Sequence, residues 1–253
     1  METITIPNSY QQNIAAVVHR PRLATEKLAI LCPGFLDSKN YDHLRMLADE
    51  LTQNGYTSVR FDPTGTWESE GDISEYVTSQ YIQDIKSVLE HMLLEGAFTH
   101  VLLGGHSRGG QVSFLYAARD PRISVALGIM PSYGSVVGKR REDWEASKVK
   151  TSSRELPFDK TQTRTFSVPF EHVLDRDQFD AFADVDKIAA PKIFLAGEHD
   201  ILVPPDRVRA LFDHAHEPKT FILAKGIDHE YRQNLNDITK VNALILEALA
   251  ELF

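Results

Sequence analysis

Val101-Leu102-Leu103-Gly104-Gly105-His106-Ser107-Arg108-Gly109-Gly110-Gln111 is the stretch whose reading decides the fold. A short apolar strand, His100–Leu103, runs into Gly105-His106-Ser107-Arg108-Gly109, a G-x-S-x-G, and a helical pattern over Gln111–Arg119 opens behind it. A serine in so tight a turn takes a strained backbone, and side chains at Gly105 or Gly109 would strike the neighbouring strand and helix. The plainer reading is a glycine-rich turn with an N-cap serine. The strand before it and the helix after it favour a nucleophile elbow.

The same alternation continues on both sides. Upstream, Thr3–Arg20 reads as a β-hairpin, and Lys27–Cys32 as a strand buried on both faces. Asp42–Asn54 is predicted as a helix with Leu44, Leu47, Ala48 and Leu51 on one side and Gly55 at its stop. Thr57–Phe61 is the next strand, and Ser74–Glu95 a long helix with Ile85, Val88, Leu89, Met92 and Leu93 on one face. Downstream come the strand Ser124–Met130, the strand Lys192–Ala196, the helix Asp206–His214 and the strand Lys219–Ala224. The helix Asp237–Leu252 closes the pattern, with Val241, Leu244, Ile245, Ala248, Leu249 and Leu252 in one stripe. Strands alternating with helices predict an α/β fold: a mostly parallel sheet with helices on both faces.

The alternation breaks once. Residues 132–190 are polar over Lys139–Lys160, then aromatic at Phe166, Phe170, Phe179 and Phe182. So long a structureless loop is foreign to a compact domain. The segment therefore reads as a cap or lid inserted into a core domain made of residues 1–131 and 191–253.

A serine hydroxyl needs a base, and the base needs an acid to hold its tautomer. Later strands end in both. Lys192–Ala196 runs into Gly197-Glu198-His199-Asp200, and Lys219–Ala224 is followed by Gly226-Ile227-Asp228-His229. The order serine, acid, histidine fits the motif. Asp206 and Asp228 stay open as the acid, and Glu198 reads as a solvated loop carboxylate. His106 adjoins the serine, alternation turns His199 away from Asp200, and His214 and His216 read as surface residues at a helix end.

With these motifs in order, the chain resembles the α/β-hydrolase family along nearly its whole length. The Gly-His-Ser-Arg-Gly-Gly run and the inserted cap are similar to small carboxylesterases, cinnamoyl (feruloyl) esterases included. The resemblance implies Ser107 as nucleophile, Asp200 as acid and His229 as general base. It implies an oxyanion hole from the backbone N–H groups of Arg108 and of Phe35, in Cys32-Pro33-Gly34-Phe35-Leu36, where many relatives have His-Gly in place of Pro33-Gly34. Asp62-Pro63-Thr64-Gly65-Thr66-Trp67-Glu68-Ser69 resembles a family loop that braces the site, with Trp67 in place of its second glycine. Trp67, Tyr133 and Phe170 are the expected substrate-binding side chains; Trp144 and Phe166 are further candidates, with the cap's own core as their other reading. The implied activity is ester cleavage through an acyl-enzyme, on small or aromatic acyl esters, without metal or organic cofactor. Peptidase, amidase or acyltransferase activity on the same fold, and a non-catalytic binding role, are the alternatives.

Composition bounds the partners. The 253 residues are 42% hydrophobic, enough for a sizeable core, and carry a formal net charge of −9. That balance opposes nucleic-acid binding. The one basic cluster, Lys139-Arg140-Arg141, reads as solvated surface, or else as an attraction for an acidic substrate group. No apolar run approaches the roughly 20 residues a membrane helix needs. A single cysteine, Cys32, and a start without a signal-peptide pattern favour a cytoplasmic setting. The expected partner is a small-molecule ester, and the chain is compatible with a homodimer.

Overall fold

The computed structural model describes residues 1–252. The chain opens with a hairpin, β1 (Glu2–Pro7) and β2 (Asn13–His19), followed by β3 (Lys27–Cys32), α1 (Asp42–Gln53) and β4 (Thr57–Phe61). Then come α2 (Thr78–Glu95), β5 (His100–His106), α3 (Arg108–Ala117) and β6 (Val125–Ile129). An inserted segment holds α4 (Lys139–Ser147), the antiparallel pair β7 (Val149–Leu156) and β8 (Asp159–Pro169), α5 (Glu171–Arg176) and α6 (Ala181–Val185). The chain finishes through β9 (Lys192–Gly197), α7 (Pro205–His214), β10 (Lys219–Ala224) and α8 (Leu235–Ala250).

Eight strands form one sheet in the order β1-β2-β4-β3-β5-β6-β9-β10. From β4 to β10 every neighbouring pair is parallel, while β2 joins β1 and β4 antiparallel. Strand β3 shows why the sheet is covered on both sides. Leu28, Ile30 and Cys32 enter one core cluster, Ala29 and Leu31 the other, and all five are fully buried. On the first face lie α2, α3 and α7; α1 and α8 cover the second through Leu44, Leu47, Val241 and Ile245. Full burial of each such aliphatic side chain contributes about 1.5–3 kcal/mol.

The chain moves from β3 outward to β4 and then returns to the other side of β3 as β5. Strand order therefore reverses between β3 and β5, and a crevice opens beyond their carboxyl ends. Cys32 and His106 are the last residues of those strands, so the topology places the Pro33–Leu36 turn beside Ser107.

Two expectations are corrected. The helix predicted over Ser74–Glu95 begins at Thr78, and Ile73–Glu75 is a separate 3-10 turn. Asp72 and Glu75 cap each other across that turn, which ends at Tyr76. The first N–H groups of α2, on Thr78 and Ser79, are then capped by Asp175 at 2.6 and 3.0 Å. That cap comes from a distant segment and has no local signal. Strand β5 also runs on to His106, because Gly104, Gly105 and His106 pair with β6. Among the described residues no helix is long and apolar enough to cross a membrane.

The Asp62–Ser69 loop braces the crevice through a buried charge. Lys39 Nζ is fully buried, 2.7 Å from Asp62 Oδ2 and also bonded to Glu68, while the Lys39 N–H donates to Asp62 Oδ1 at 2.7 Å. Removing one member leaves the other buried charge short of a partner, so Asp62→Ala is expected to cost about 3–5 kcal/mol. The measurement is the urea midpoint at unchanged m. A wild-type midpoint would remove this brace from the account.

Candidate active site

Ser107 sits between β5 and α3 with φ 55° and ψ −113°, a conformation that costs a non-glycine residue about 1–3 kcal/mol. The surroundings hold it there. Its N–H donates to Ile129 O at 2.9 Å, and its own carbonyl accepts from Gln111 and Ser132. The turn closes only because Gly105 and Gly109 lack side chains: a Cβ would lie 2.3 and 2.0 Å from Cys32 O. Gly109→Ala is accordingly expected to destabilise by about 1–3 kcal/mol and to push the Pro33–Leu36 turn out of place. Thermal unfolding together with ester turnover checks this; a variant normal in both would contradict the close packing.

Ser107 Oγ lies 3.0 Å from His229 Nε2, and His229 Nδ1 lies 2.7 Å from Asp200 Oδ2. A carboxylate only accepts, so Nδ1 carries the proton and Nε2 turns its lone pair to the serine hydroxyl. Asp200 Oδ1 is fixed in turn by the N–H groups of Leu202 and Val203, both at 2.8 Å. Both Asp200 and His229 are buried, on the loops after β9 and β10. The competing acids lie elsewhere. Asp228 and Asp206 are exposed, Asp228 accepts the N–H of Glu230, and Glu198 accepts the N–H of Gly226. His199 is exposed beside Glu198, His214 stacks on Phe182, and His216 pairs with Asp186.

The N–H groups of Phe35 and Arg108 have no hydrogen-bond partner among the described residues. The turn around Phe35 is held by three side chains instead. Tyr76 Oη accepts the Leu36 N–H at 3.1 Å, Trp67 Nε1 donates to Leu36 O at 3.1 Å, and Arg154 Nη2 donates to Phe35 O at 3.1 Å. Trp67, expected to bind substrate, does not line the crevice. It is buried between Tyr41 and Phe166 and fixes the turn from behind. Phe170 also lies away from the crevice lining: it is buried beneath Arg141 in the core cluster that the insert shares with the sheet domain, and Phe166 is buried against Trp67 beneath Arg164. Tyr133 and Trp144 do line the crevice, a cavity of about 330 Å³ that reaches Ser107 and His229.

Beside the imidazole lies a buried group that sequence reading missed. Asp37 Oδ2 stands 4.0 Å from His43 Nε2 and 3.8 Å from His106 Nδ1, and Oδ1 stands 3.6 Å from Arg232. Among the described residues these are the one set, Asp37, His43 and His106, whose donor atoms come within reach of a common metal ion. Arg232 already supplies positive charge there. Burial opposes the Asp37 charge, but Arg232, His106 and His43 outweigh it and hold the carboxyl below its usual range. Burial pushes His43 down to about 3 and lowers His106 as well. Both rings are thus neutral at pH 7, and His106 lies 4.7 Å from the His229 ring.

A sheet whose order reverses at β3/β5, with a strained serine after β5, a carboxylate after β9 and a histidine after β10, is the α/β-hydrolase architecture. The chain has the α/β-hydrolase fold. The family model of the serine aminopeptidases, S33, matches residues 24–147. Among curated proteins, the rat mitochondrial palmitoyl-protein thioesterase ABHD10 is 23% identical over 228 residues, covering 84% of this chain and 74% of its own. An uncharacterized 31.7 kDa Escherichia coli protein is 24% identical over 220 residues, covering 74% and 77%. Among solved structures, DcsB in complex with its substrate analogue superposes with a TM-score of 0.83 at 17% identity, over 99% of both chains. Est1E from Butyrivibrio proteoclasticus with bound ferulic acid gives 0.76 at 20%, over 98% of this chain and 99% of that one.

Proposed function

We propose that the protein hydrolyses carboxylic esters through an acyl-enzyme on Ser107. The observation that carries this reading is the unbroken hydrogen-bonded chain from Ser107 Oγ through His229 to Asp200, with two unpaired N–H groups beside it. His229 Nε2 takes the Ser107 proton as Oγ attacks the ester carbonyl. The N–H groups of Phe35 and Arg108 receive the oxyanion, each worth about 3–4 kcal/mol in the transition state. The imidazolium then protonates the departing alcohol, and water activated by the same nitrogen releases the acid.

The insert, residues 132–190, acts as the cap that closes this cavity. It contributes Tyr133 and Trp144 to the lining, and a cavity of about 330 Å³ suits a small or aromatic acyl group. The activity for which the ABHD10 relatives are named, palmitoyl-protein thioesterase, supports ester or thioester cleavage. The family description, serine aminopeptidase, favours a peptidase. An aminopeptidase needs free acidic groups for the substrate's ammonium, and here Asp37 and Glu230 both face Arg232. The ester reading is therefore preferred. A reducing, cytoplasmic setting fits the buried single cysteine.

A panel of p-nitrophenyl and hydroxycinnamate esters of varied acyl length, with an aminoacyl anilide alongside, tests the proposal. Ester turnover together with a fluorophosphonate adduct on Ser107 is the expected result. Folded protein that gives neither would end the reading, and faster cleavage of the anilide would move it to the peptidases.

A further inference from the structure

The crevice beside Ser107 is strongly positive in a chain whose net charge is −9. Six arginines line it, Arg108, Arg140, Arg154, Arg176, Arg207 and Arg232, against two carboxylates, Asp37 and Glu230. Both carboxylates are engaged by Arg232, at 3.6 and 2.5 Å. Among the described residues the other five guanidinium groups have no carboxylate within 4.0 Å. They come from α3, α4, β7, α5 and α7, so no single helix face accounts for their convergence.

Structural bonding uses only part of their donor capacity. Arg176 gives Nε to Gly134 O at 2.9 Å and Nη2 to Ser132 Oγ at 3.4 Å, and among the described residues its Nη1 has no partner. Arg207 gives one bond, from Nη2 to Tyr133 O at 3.2 Å, with its guanidinium 4.7 Å from that ring. Arg108 lies deeper and is 1% exposed. It bonds His172 and Thr78, and its Nε has no partner. Burial, followed by the positive charges of Arg108, Arg140 and Arg207, pushes Arg176 down to about 9. Like charges gathered in a partly dry crevice oppose folding unless an anion enters.

We propose that the substrate carries an ionised oxyanion group, carboxylate or phosphate, away from the scissile bond, and that Arg176 and Arg207 clamp it. This rests on the reading of Ser107 as the nucleophile. A planar guanidinium matches two oxygens at once, and such charge-assisted bonds are the strong ones. Neutral ester and anionic ester then share the same chemistry at Ser107 and differ in how they are held.

The test compares p-nitrophenyl butyrate with p-nitrophenyl hemiglutarate, whose acyl group ends in a carboxylate. Two further probes place the charge on the leaving group: 3-carboxyphenyl butyrate and 4-phosphonooxyphenyl acetate. At least one anionic probe is expected to exceed the neutral ester in kcat/KM by about 10–100-fold at low salt. Added salt and either Arg207→Gln or Arg176→Lys should collapse that ratio, mainly through KM. The probe with the highest ratio identifies the anion and its side of the bond. Calorimetric titration of the whole protein with glutarate, phosphate and neutral glutaramide needs no turnover, so it separates this inference from the catalytic one. Salt-sensitive binding of either anion, weakened by Arg207→Gln, supports the clamp even if no ester is cleaved. Equal handling of neutral and charged probes, with no anion bound, overturns it while leaving ester cleavage by Ser107 intact.

Discussion

Replacing Ser107 with alanine is expected to lower kcat for any cleaved ester by about 10⁵–10⁶-fold while leaving the fold in place. The hydroxyl makes one hydrogen bond to another side chain, to His229, which lines the crevice, so its loss strands no group in the closed core. The strained backbone is held by main-chain bonds to Ile129, Gln111 and Ser132, which alanine keeps. Some acceleration over water should survive, because the N–H groups of Phe35 and Arg108 still receive the oxyanion. The one cysteine does not take its place: Cys32 is fully buried, and burial pushes its thiol up to about 12. Turnover measured beside the thermal midpoint decides the matter. An alanine variant that hydrolyses esters at the parent rate would show that the serine at the elbow is not the attacking group.

The second large effect is expected at Asp200→Asn, a loss of about 10⁴-fold in kcat. The Leu202 and Val203 N–H groups keep the side-chain oxygen on their own side, so the amide nitrogen turns towards His229. Facing a donor, Nδ1 must give up its proton, and Nε2 then points an N–H at Ser107 where a lone pair is required. The protein folds with the wrong tautomer. Asp228→Asn serves as the control, because that side chain is exposed and caps only Glu230. If the control proves the more damaging change, the acid has been misassigned.

The two replacements also show how much of the site was legible. Ser107, Asp200 and His229 each follow an apolar strand, and parallel strands of one sheet must end along a common rim. Sequence order therefore sufficed to nominate the three. It left Asp206 and Asp228 open because all three carboxylates come soon after a strand, and only the turn after β9 aims one of them at the imidazole. Trp67 and Phe170 were misread for a related reason. An aromatic beside a site and an aromatic beneath it have the same local signature, and burial against Leu36 or within the insert appears only when the chain is packed.

The hairpin β7–β8 was the largest element left unread. Residues of β7 alternate between exposed and half-buried but are mostly polar, and β8 is exposed from Lys160 to Thr165, so a period-2 pattern of hydrophobicity is confined to Phe166 and Val168. The same holds for the Asp175 cap on α2 and the buried Asp37–His43–His106 group, whose members come from separate segments.

By itself the sequence determined the alternating α/β order, the doubly covered sheet and the elbow, because apolar runs, glycines and helix periods are local consequences of backbone geometry and burial. Only the tertiary structure decided which carboxylate meets His229, what holds the Phe35 turn, and that five separate segments bring arginines without carboxylate partners to one crevice. Those features are distances between remote parts of the chain, and no local pattern of residues encodes a distance.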